Sequence, residues 1–475
     1  MNLSEALKNP VFAEIGQVGD QLQQQTFVIG GFVRDYILQR TQKMDIDIVT
    51  EGSGILLANK VAEKLGNASK VSVFKRFGTA MFKHQQTDWE FVGARKESYT
   101  ADSRKPAVEN GSIHDDQLRR DFTINALAIS LNQENYGEFI DPFDGFSDLK
   151  KKIIRTPLDP DTTYSDDPLR MMRAIRFAAQ LNFDIEFESF EAIQRNAERL
   201  KIVSAERIMD EFNKILMTEK PSFGLILLEK SGLMQYFLPE LLALKGIEEM
   251  EGQTHKDNFY HTFEVVDNIA KNTENLWLRW AALLHDIGKA PTKRFDKKLG
   301  WTFHSHEFVG SKMVPKLFRR LKLPMGHEMQ YVQKMVLLSS RPIPLVSEGS
   351  TDAALRRLLY DAGDDLEDLF VLCKADITTK NYKKQDRYKA NFILVEQKIK
   401  QVEERDHIRN FQPPVTGEDI MKTFDIQPCP AVGKIKNQIK EAILEGDLQN
   451  NREDALAFMI KLGNTMGLEI KPNKN

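Results

Sequence analysis

The chain has 475 residues and a formal net charge of -3, too long for one hydrophobic core and enough for two to four domains. Hydrophobic residues make up 41% and charged residues 28%, an ordinary globular composition whose near-neutral balance excludes a generally basic nucleic-acid binder while leaving room for a local basic groove. Two distant cysteines, Cys373 and Cys429, argue against a disulfide scaffold or a cysteine zinc site, and the absence of a signal-peptide pattern or a long uncharged apolar run leads to the expectation of a cytoplasmic protein with no membrane partner.

The first part reads as mixed α and β. "TFVIGG" is a short apolar strand running into a Gly-Gly turn, and "FVRDYILQR" has apolar residues at helical spacing. "MDIDIVT" alternates at strand period, "GSGILLANKVAEKLG" is a helix ended by Gly66, and "KVSVFKRFGTAMFKHQQTDWEFVGARK" gives strands with a turn near Gly78. From Asp141, "DPFDGFSDLKKKIIRT" is a loop-rich connector with a short strand. Helical signals follow in "DDPLRMMRAIRFAAQLNF", "FEAIQRNAERL" and "SAERIMDEFNKILM". A second helical block, about 255 to 380, carries most of the histidines. Residues 380–408 form a charged amphipathic helix, and "QPPV" breaks it to open a last small domain.

The densest chemistry lies in "GGFVRDYILQRTQKMDIDIV". Residues two apart on a strand share a face, so Asp45 and Asp47 present two carboxylates side by side while Ile46 and Ile48 point into a core. Such like charges call for a cation, and carboxylates with phosphate and water oxygens suit Mg²⁺. Gly30-Gly31 lets backbone N–H groups approach a triphosphate, and Arg34 adds a charge-assisted contact one turn into the helix. Two-metal phosphoryl or nucleotidyl transfer wants a third carboxylate, which "DWEFVGAR" offers as Glu90, between the inward-facing Trp89 and Phe91.

These motifs resemble the class II tRNA nucleotidyltransferases (CCA-adding enzymes) and bacterial poly(A) polymerases, of the polymerase-β-like nucleotidyltransferase superfamily. Further segments in the same order carry the likeness: "LRRDFTINALA", "DPFDGFSDLKKKIIRT", "DDPLRMMRAIRFAAQL", "AERIMDEFNKIL", and a tail with "PVTGEDIM", Gly433 and "NNREDAL". Two departures stand out: Asp166 replaces the usual glutamate before Asp167, and Gln39 sits where a glycine usually closes the first helix. The resemblance implies an α+β chain with a nucleotidyltransferase head at 1–155, a helical neck at 156–245, an HD domain at 246–385 and a tRNA-binding tail at 386–475. It implies that Asp45 and Asp47 hold Mg²⁺, that Glu90 orients or activates a 3′-hydroxyl, and that Gly31, Arg34 and Arg120 hold triphosphate and sugar. Asp167 and Arg170 would select the base, with Arg173 and Arg176 in support. Three apart, Asp167 and Arg170 read as neighbours on one helix. Each further step of three lags a full turn by about 60°, so the arginines wind around the helix. Asp121 and Asn125 are read as organising the local backbone and stay outside the site.

"YHTFEVVDNIA", "LLHDIGKAPTKRF", "FHSHEFVG" and "CKADITT" resemble the HD superfamily of helical metal-dependent phosphohydrolases. That likeness implies a divalent-metal site, suited to a transition metal, at His261, His285, Asp286 and Asp376, with His306 or His304 as a further ligand. Its expected work is to remove a 2′,3′-cyclic or terminal phosphate from RNA 3′ ends.

The expected enzyme therefore transfers CMP and AMP from CTP and ATP to tRNA. Within the family the alternatives are a poly(A) polymerase or an enzyme adding only CC or only A. From another class, the alternative is an HD phosphohydrolase with a nucleotide-binding head.

Overall fold

The computed structural model describes residues 1–470 except 41–44, 67–69, 76–77, 101–102, 251, 255, 348–350, 379–380 and 410. Thr41, Gln42, Lys43, Met44, Arg76, Phe77, Thr379 and Lys380, which belong to segments read above, lie outside the described residues. The chain divides into two compact units, Met1–Pro239 and Glu240–Asn475.

The first unit is built on a mixed sheet. Its strands are β1 (Thr26–Ile29), β2 (Ile46–Thr50), β3 (Ser72–Phe74), β4 (Thr79–His84), β5 (Thr87–Gly93), β8 (Ala128–Ser130) and β9 (Phe139–Ile140), in the order β3-β4-β5-β2-β1-β8-β9. β6 (Arg95–Thr100) and β7 (Ser103–Asn110) form a separate antiparallel hairpin. Within the sheet only β2 and β5 run parallel, and their register sets Ile46 beside Trp89, Asp47 beside Glu90 and Ile48 beside Phe91. Strand alternation then sorts the two faces. Ile46, Ile48, Trp89 and Phe91 are buried, and Phe12 of helix α1 (Pro10–Gln21) meets the Trp89 ring at 5.1 Å. α3 (Gly54–Leu65) packs on β4 and β5, and Gly66 ends it at φ 63° as the sequence predicts.

Between β1 and β2 lies α2 (Gly31–Ile37). Its exit is the position where relatives in the resemblance carry glycine, and Gln39 takes the left-handed conformation there, at φ 54°. α4 (Ile113–Leu118) starts on a capping box between Ser112 and Asp115 and leads into the 120–125 turn. α5 (Gly145–Lys151) and β10 (Ile153–Ile154) form the connector, and β10 pairs in parallel with β11 (Asp184–Ile185). Between them run α6 (Pro160–Asp166) and α7 (Leu169–Leu181). α8 (Phe187–Asn196), α9 (Ala205–Leu216) and α10 (Pro221–Lys230) complete the unit, with α9 and α10 both packed on α7.

α11 (Pro239–Leu242) crosses the boundary between the units. The second unit contains α12 (Asn258–Ala270), α13 (Leu276–Leu284), α14 (Lys289–Thr292), α15 (His306–Leu321), α16 (His327–Leu338), α17 (Pro342–Ser347), α18 (Asp352–Ala362) and α19 (Leu366–Ala375). One small antiparallel hairpin, β12 (Glu249–Met250) with β13 (Gln253–Thr254), precedes the histidine block, and another, β14 (Arg294–Asp296) with β15 (Gly300–Thr302), lies within it. The "RFD" and "GWT" runs are too short for the period-based reading, which found helix alone there. α20 (Tyr382–Asp406) buries Phe392, Val395, Ile399 and Val402, one stripe at alternating steps of three and four. α21 (Gly417–Phe424), α22 (Pro430–Glu445) and α23 (Arg452–Thr465) end the described chain. No described helix is long and apolar enough to cross a membrane.

Candidate active site and metal cluster

In the first unit, a cavity of about 420 Å³ is lined by the acids Asp35, Asp45, Asp47, Glu90 and Asp121 and by four arginines, Arg34, Arg120, Arg173 and Arg176. Asp47 projects from β2 and Glu90 from the adjoining position on β5, while Asp45 immediately precedes β2. Burial raises the Asp47 pKa, Asp45 adds to the rise and Arg120 opposes it. Burial also raises that of Glu90, followed by the charges of Asp47 and Asp45. Asp47 and Glu90 thus resist full ionisation unless a cation shares the space. The donor set therefore fits a hard divalent ion.

Gly30 closes β1 at φ 83°, and a Cβ there would stand 3.0 Å from Arg120 Nη1 and 3.5 Å from Asp47 Oδ2. The close approach makes Gly30 the constrained glycine of the pair. Gly31 starts α2, where an added Cβ would meet only Arg34 Nη2, at 3.7 Å.

Each arginine on the cavity is held by a partner. Arg34 donates from Nε and Nη2 to Asp35 at 2.8 and 2.9 Å, and from Nη1 to Asn125 Oδ1 at 2.7 Å. Arg120 donates to Asp116 Oδ2 at 3.2 Å. Arg173 places Nε and Nη2 at 2.7 and 2.6 Å from Asp121 Oδ2. Arg176 pairs with the buried Glu211 of α9 at 3.0 Å. Three of the four guanidinium groups surround one ring: Arg176, Arg34 and Arg173 lie 4.1, 5.0 and 5.5 Å from the centre of Phe177. Burial opposes ionisation of Asp121, but Arg173 and the hydrogen bond from Asn125 outweigh it and pull the carboxyl down to about 2.

The structure thus brings together Asp45, Asp47, Glu90, Gly31, Arg34, Arg120, Arg173 and Arg176. Asp167 and Arg170 are not on this cavity's lining, and Asp167 is not on the helix of Arg170. It sits between α6 and α7 in an extended conformation, φ -133° and ψ 97°, because Pro168 disfavours helical geometry in the residue before it. Asp167 Oδ1 accepts from Leu169 N at 3.2 Å, and Oδ2 lies 3.7 Å from Arg207. Arg170 is buried, with Nη2 donating to the Arg119 carbonyl and Nη1 to that of Thr163. Asp121 and Asn125, left outside the site on sequence grounds, line the cavity as well as ordering the backbone through Phe122 N. Periodicity makes Phe177 an apolar helix-face residue and gives no sign of Glu211, which meets Arg176 across helices, whereas Asp116 meets Arg120 at a local spacing of four.

A second cluster gathers His261 from α12, His285 and Asp286 from the end of α13, and Asp376 from the end of α19. His261 Nε2 is 2.7 Å from Asp376 Oδ1, and His285 Nε2 is 3.3 Å from Asp286 Oδ2 and 3.6 Å from Asp376 Oδ1. His306 Nε2 approaches Asp286 Oδ1 at 3.6 Å. His304 is exposed, and among the described residues no ion pair links it to the cluster. His285 Nδ1 donates to the Ala282 carbonyl at 2.7 Å, which fixes the tautomer and turns the Nε2 lone pair inward. That Nε2 is buried without a hydrogen-bond partner. Ligand atoms of His261, His285 and Asp286 lie within 4.8 Å of one another. Without a metal, burial works against a charged His285 ring, but Asp286 and Asp376 outweigh it and raise its pKa. The cluster therefore attracts a proton where imidazole and carboxylate ligands would take a transition metal, and the residues fit one.

Comparison with known proteins bears on both sites. Three family models match: a poly A polymerase head domain over residues 26–155, a probable RNA- and SrmB-binding site of polymerase A over 182–244, and an HD domain over 258–380. An A-adding tRNA nucleotidyltransferase of Deinococcus radiodurans is 30% identical over 73% of this chain and 79% of its own length. A CCA-adding enzyme of Bacillus velezensis is 30% identical over 90% of this chain and 92% of its own. The chain belongs to the tRNA nucleotidyltransferase family. Its fold agrees with that of the Thermotoga maritima CCA-adding enzyme solved with tRNA, at a TM-score of 0.60 and 20% identity, covering 97% of this chain and 99% of that one. As a tRNA nucleotidyltransferase it is an enzyme, and it carries an HD domain. Both families use divalent metals, in keeping with the donor sets of the two clusters.

Proposed function

We propose that this enzyme builds or repairs the 3′-terminal CCA of tRNA from CTP and ATP, and does so in the cytoplasm. The observation that carries the reading is the single cavity where Asp45, Asp47 and Glu90 face Arg34, Arg120, Arg173 and Arg176. Asp45 and Asp47 hold Mg²⁺, which when bound supplies charge neutralisation at the attacking and leaving oxygens. Glu90 orients the tRNA 3′-hydroxyl and accepts its proton. The 3′-oxygen forms a bond to the α-phosphorus as the bond to the β-phosphate oxygen breaks, and pyrophosphate leaves. Gly31 lets backbone N–H groups approach the triphosphate, while Arg34 and Arg120 neutralise it; Arg173 and Arg176, fixed by Asp121 and Glu211, flank the nucleotide. Asp167 and Arg170 select the base in this reading, although neither lines the cavity in this structure. Within the chain, the head is 1–155, the neck 156–245, the HD domain 246–385 and the tRNA-binding tail 386–475.

His261, His285, Asp286 and Asp376 bind a divalent transition metal and remove a 2′,3′-cyclic or terminal phosphate from RNA 3′ ends, leaving the hydroxyl that the head requires. An A-only activity is the second reading, since an A-adding relative is as similar, at 30% identity, as a CCA-adding one. Purified protein with tRNA transcripts ending before CCA, after one C and after two, each given single nucleotides, separates these readings. Long A tails on unrelated RNA would overturn both.

A further inference from the structure

The β14–β15 hairpin has both ends at the HD cluster. On the entering side, Lys289 Nζ stands 2.7 Å from Asp286 Oδ2 before the chain passes through α14 into β14. On the leaving side, β15 is followed by Phe303 and then His306, whose Nε2 is 3.6 Å from the other Asp286 oxygen. Hairpin and cluster are thus one piece of structure.

The hairpin's surface is basic and aromatic. Lys293, Arg294, Lys297 and Lys298 fall within six residues that hold one acid, Asp296, and Lys293 is paired with Glu248 at 2.6 Å. Asp296 Oδ1 is engaged inside the turn, accepting from the backbone of Lys298 and Leu299 at 2.7 and 2.9 Å, so the Lys297 and Lys298 charges stand exposed at the tip. Three half-buried rings, Phe295, Trp301 and Phe303, lie beside lysines or one another. Lys289 lies 5.8 Å from the centre of Phe303, Lys293 lies 5.5 Å from that of Trp301, and Phe295 meets Trp301 at 5.3 Å. Cations for phosphates beside ring faces for unstacked bases are what single-stranded RNA recognition requires. A hydrolase for small phosphate esters needs neither.

We infer that the β14–β15 hairpin is the RNA-holding element of the HD centre: it binds the single-stranded nucleotides just upstream of the phosphate to be removed. The inference rests on the proposed phosphohydrolase reading for its purpose, but the contact itself is separately testable. A short oligoribonucleotide ending in a 3′-phosphate, with 4-thiouridine near that end, is irradiated on the full chain and the crosslinked peptide mapped. The expected product is a peptide containing Trp301. Hydrolysis of the same oligonucleotide and of bis(p-nitrophenyl) phosphate is then measured for wild type and for the triple variant Arg294→Glu, Lys297→Glu, Lys298→Glu. The expected result is a rise in the oligonucleotide KM of about tenfold, with a shallower salt dependence, and little change in kcat or in turnover of the small ester. Crosslinks confined to peptides outside 289–308, or equal losses on both substrates, would overturn the inference. A crosslink at Trp301 without hydrolysis of either substrate would sink the phosphohydrolase reading and leave the RNA contact standing.

Discussion

The pair between Asp121 and Arg173 allows a prediction in numbers. Asp121 is buried and accepts from Arg173, Asn125 and the backbone of Phe122. Its carboxyl is held at about 2 against an ordinary 3.8, which at about 1.4 kcal/mol per pH unit corresponds to about 2 kcal/mol of stability. The folded-state value is depressed, so this contribution is nearly complete above about pH 4 and is lost as the pH falls through about 2. Asp121→Asn should therefore destabilise the first unit at neutral pH by about 2 kcal/mol, because the amide keeps the backbone contact but leaves Arg173 without its counter-charge. The assay is denaturant unfolding followed by Trp89, buried in the head core, in a background where Trp277, Trp280 and Trp301 are phenylalanine. A double-mutant cycle with Arg173→Met should return a coupling of about the same size. A loss below about 0.5 kcal/mol, or a coupling near zero, would refute the argument that this ion pair holds Arg173 on the cavity.

Gly30→Ala should cost about 1–3 kcal/mol and most of the nucleotide incorporation, since it combines positive φ with a Cβ 3.0 Å from Arg120, whereas Gly31→Ala should be tolerated in folding; thermal melts and single-turnover assays compare them. Asp47→Asn should make the first unit more stable than wild type in EDTA at pH 8, and this gain should shrink in Mg²⁺. The sign follows from the raised folded pKa: the wild-type carboxyl loses stability as pH rises from its ordinary value through the raised one, unless a cation replaces the proton. Glu211→Gln should cost about 3 kcal/mol and weaken nucleotide binding, as read by unfolding and by KM, because it leaves Arg176 half of a broken buried pair. His285→Ala should abolish phosphate removal from RNA ends and leave nucleotide addition to a hydroxyl-ended tRNA intact, with Asp45→Ala giving the reverse pattern.

The acid half of the head site was legible because strand alternation is a local rule. It placed Asp47 and Glu90 on one face and Ile48 and Phe91 on the other, and the register joins them as neighbours. The arginine half was legible only in part. The spacing of three carried Asp167 onto the helix of Arg170, which Pro168 excludes, although the proline is itself a signal in the sequence. The Gly-Gly pair told of a tight turn without telling which glycine needs it, since that depends on where Arg120 ends up. Glu211 and Phe177 show the remaining gap: Glu211 reaches Arg176 from α9, and Phe177 meets Arg34 from α2 as well as Arg173 of its own helix, so the contacts between elements are fixed only by packing.

That packing bears on how the site works. Four arginines on one cavity repel each other and would splay toward solvent if each were held by its own helix alone. Here each has a fixed acid or amide: Asp35 and Asn125 for Arg34, Asp116 for Arg120, Asp121 for Arg173, and Glu211 for Arg176. These partners come from α2, α4, the 121–125 turn and α9, so the cationic wall is set by the folded first unit before any nucleotide arrives. The acid wall is the opposite case. Burial raises the pKa of Asp47, with Asp45 adding to the rise and Arg120 and Arg173 opposing it, and burial followed by the charges of Asp47 and Asp45 raises that of Glu90, against Arg95 and Arg120. On the proposed reading, arginines fixed in advance for the triphosphate and carboxylates left for the cation would make the site complementary to a metal–nucleotide pair rather than to either component alone.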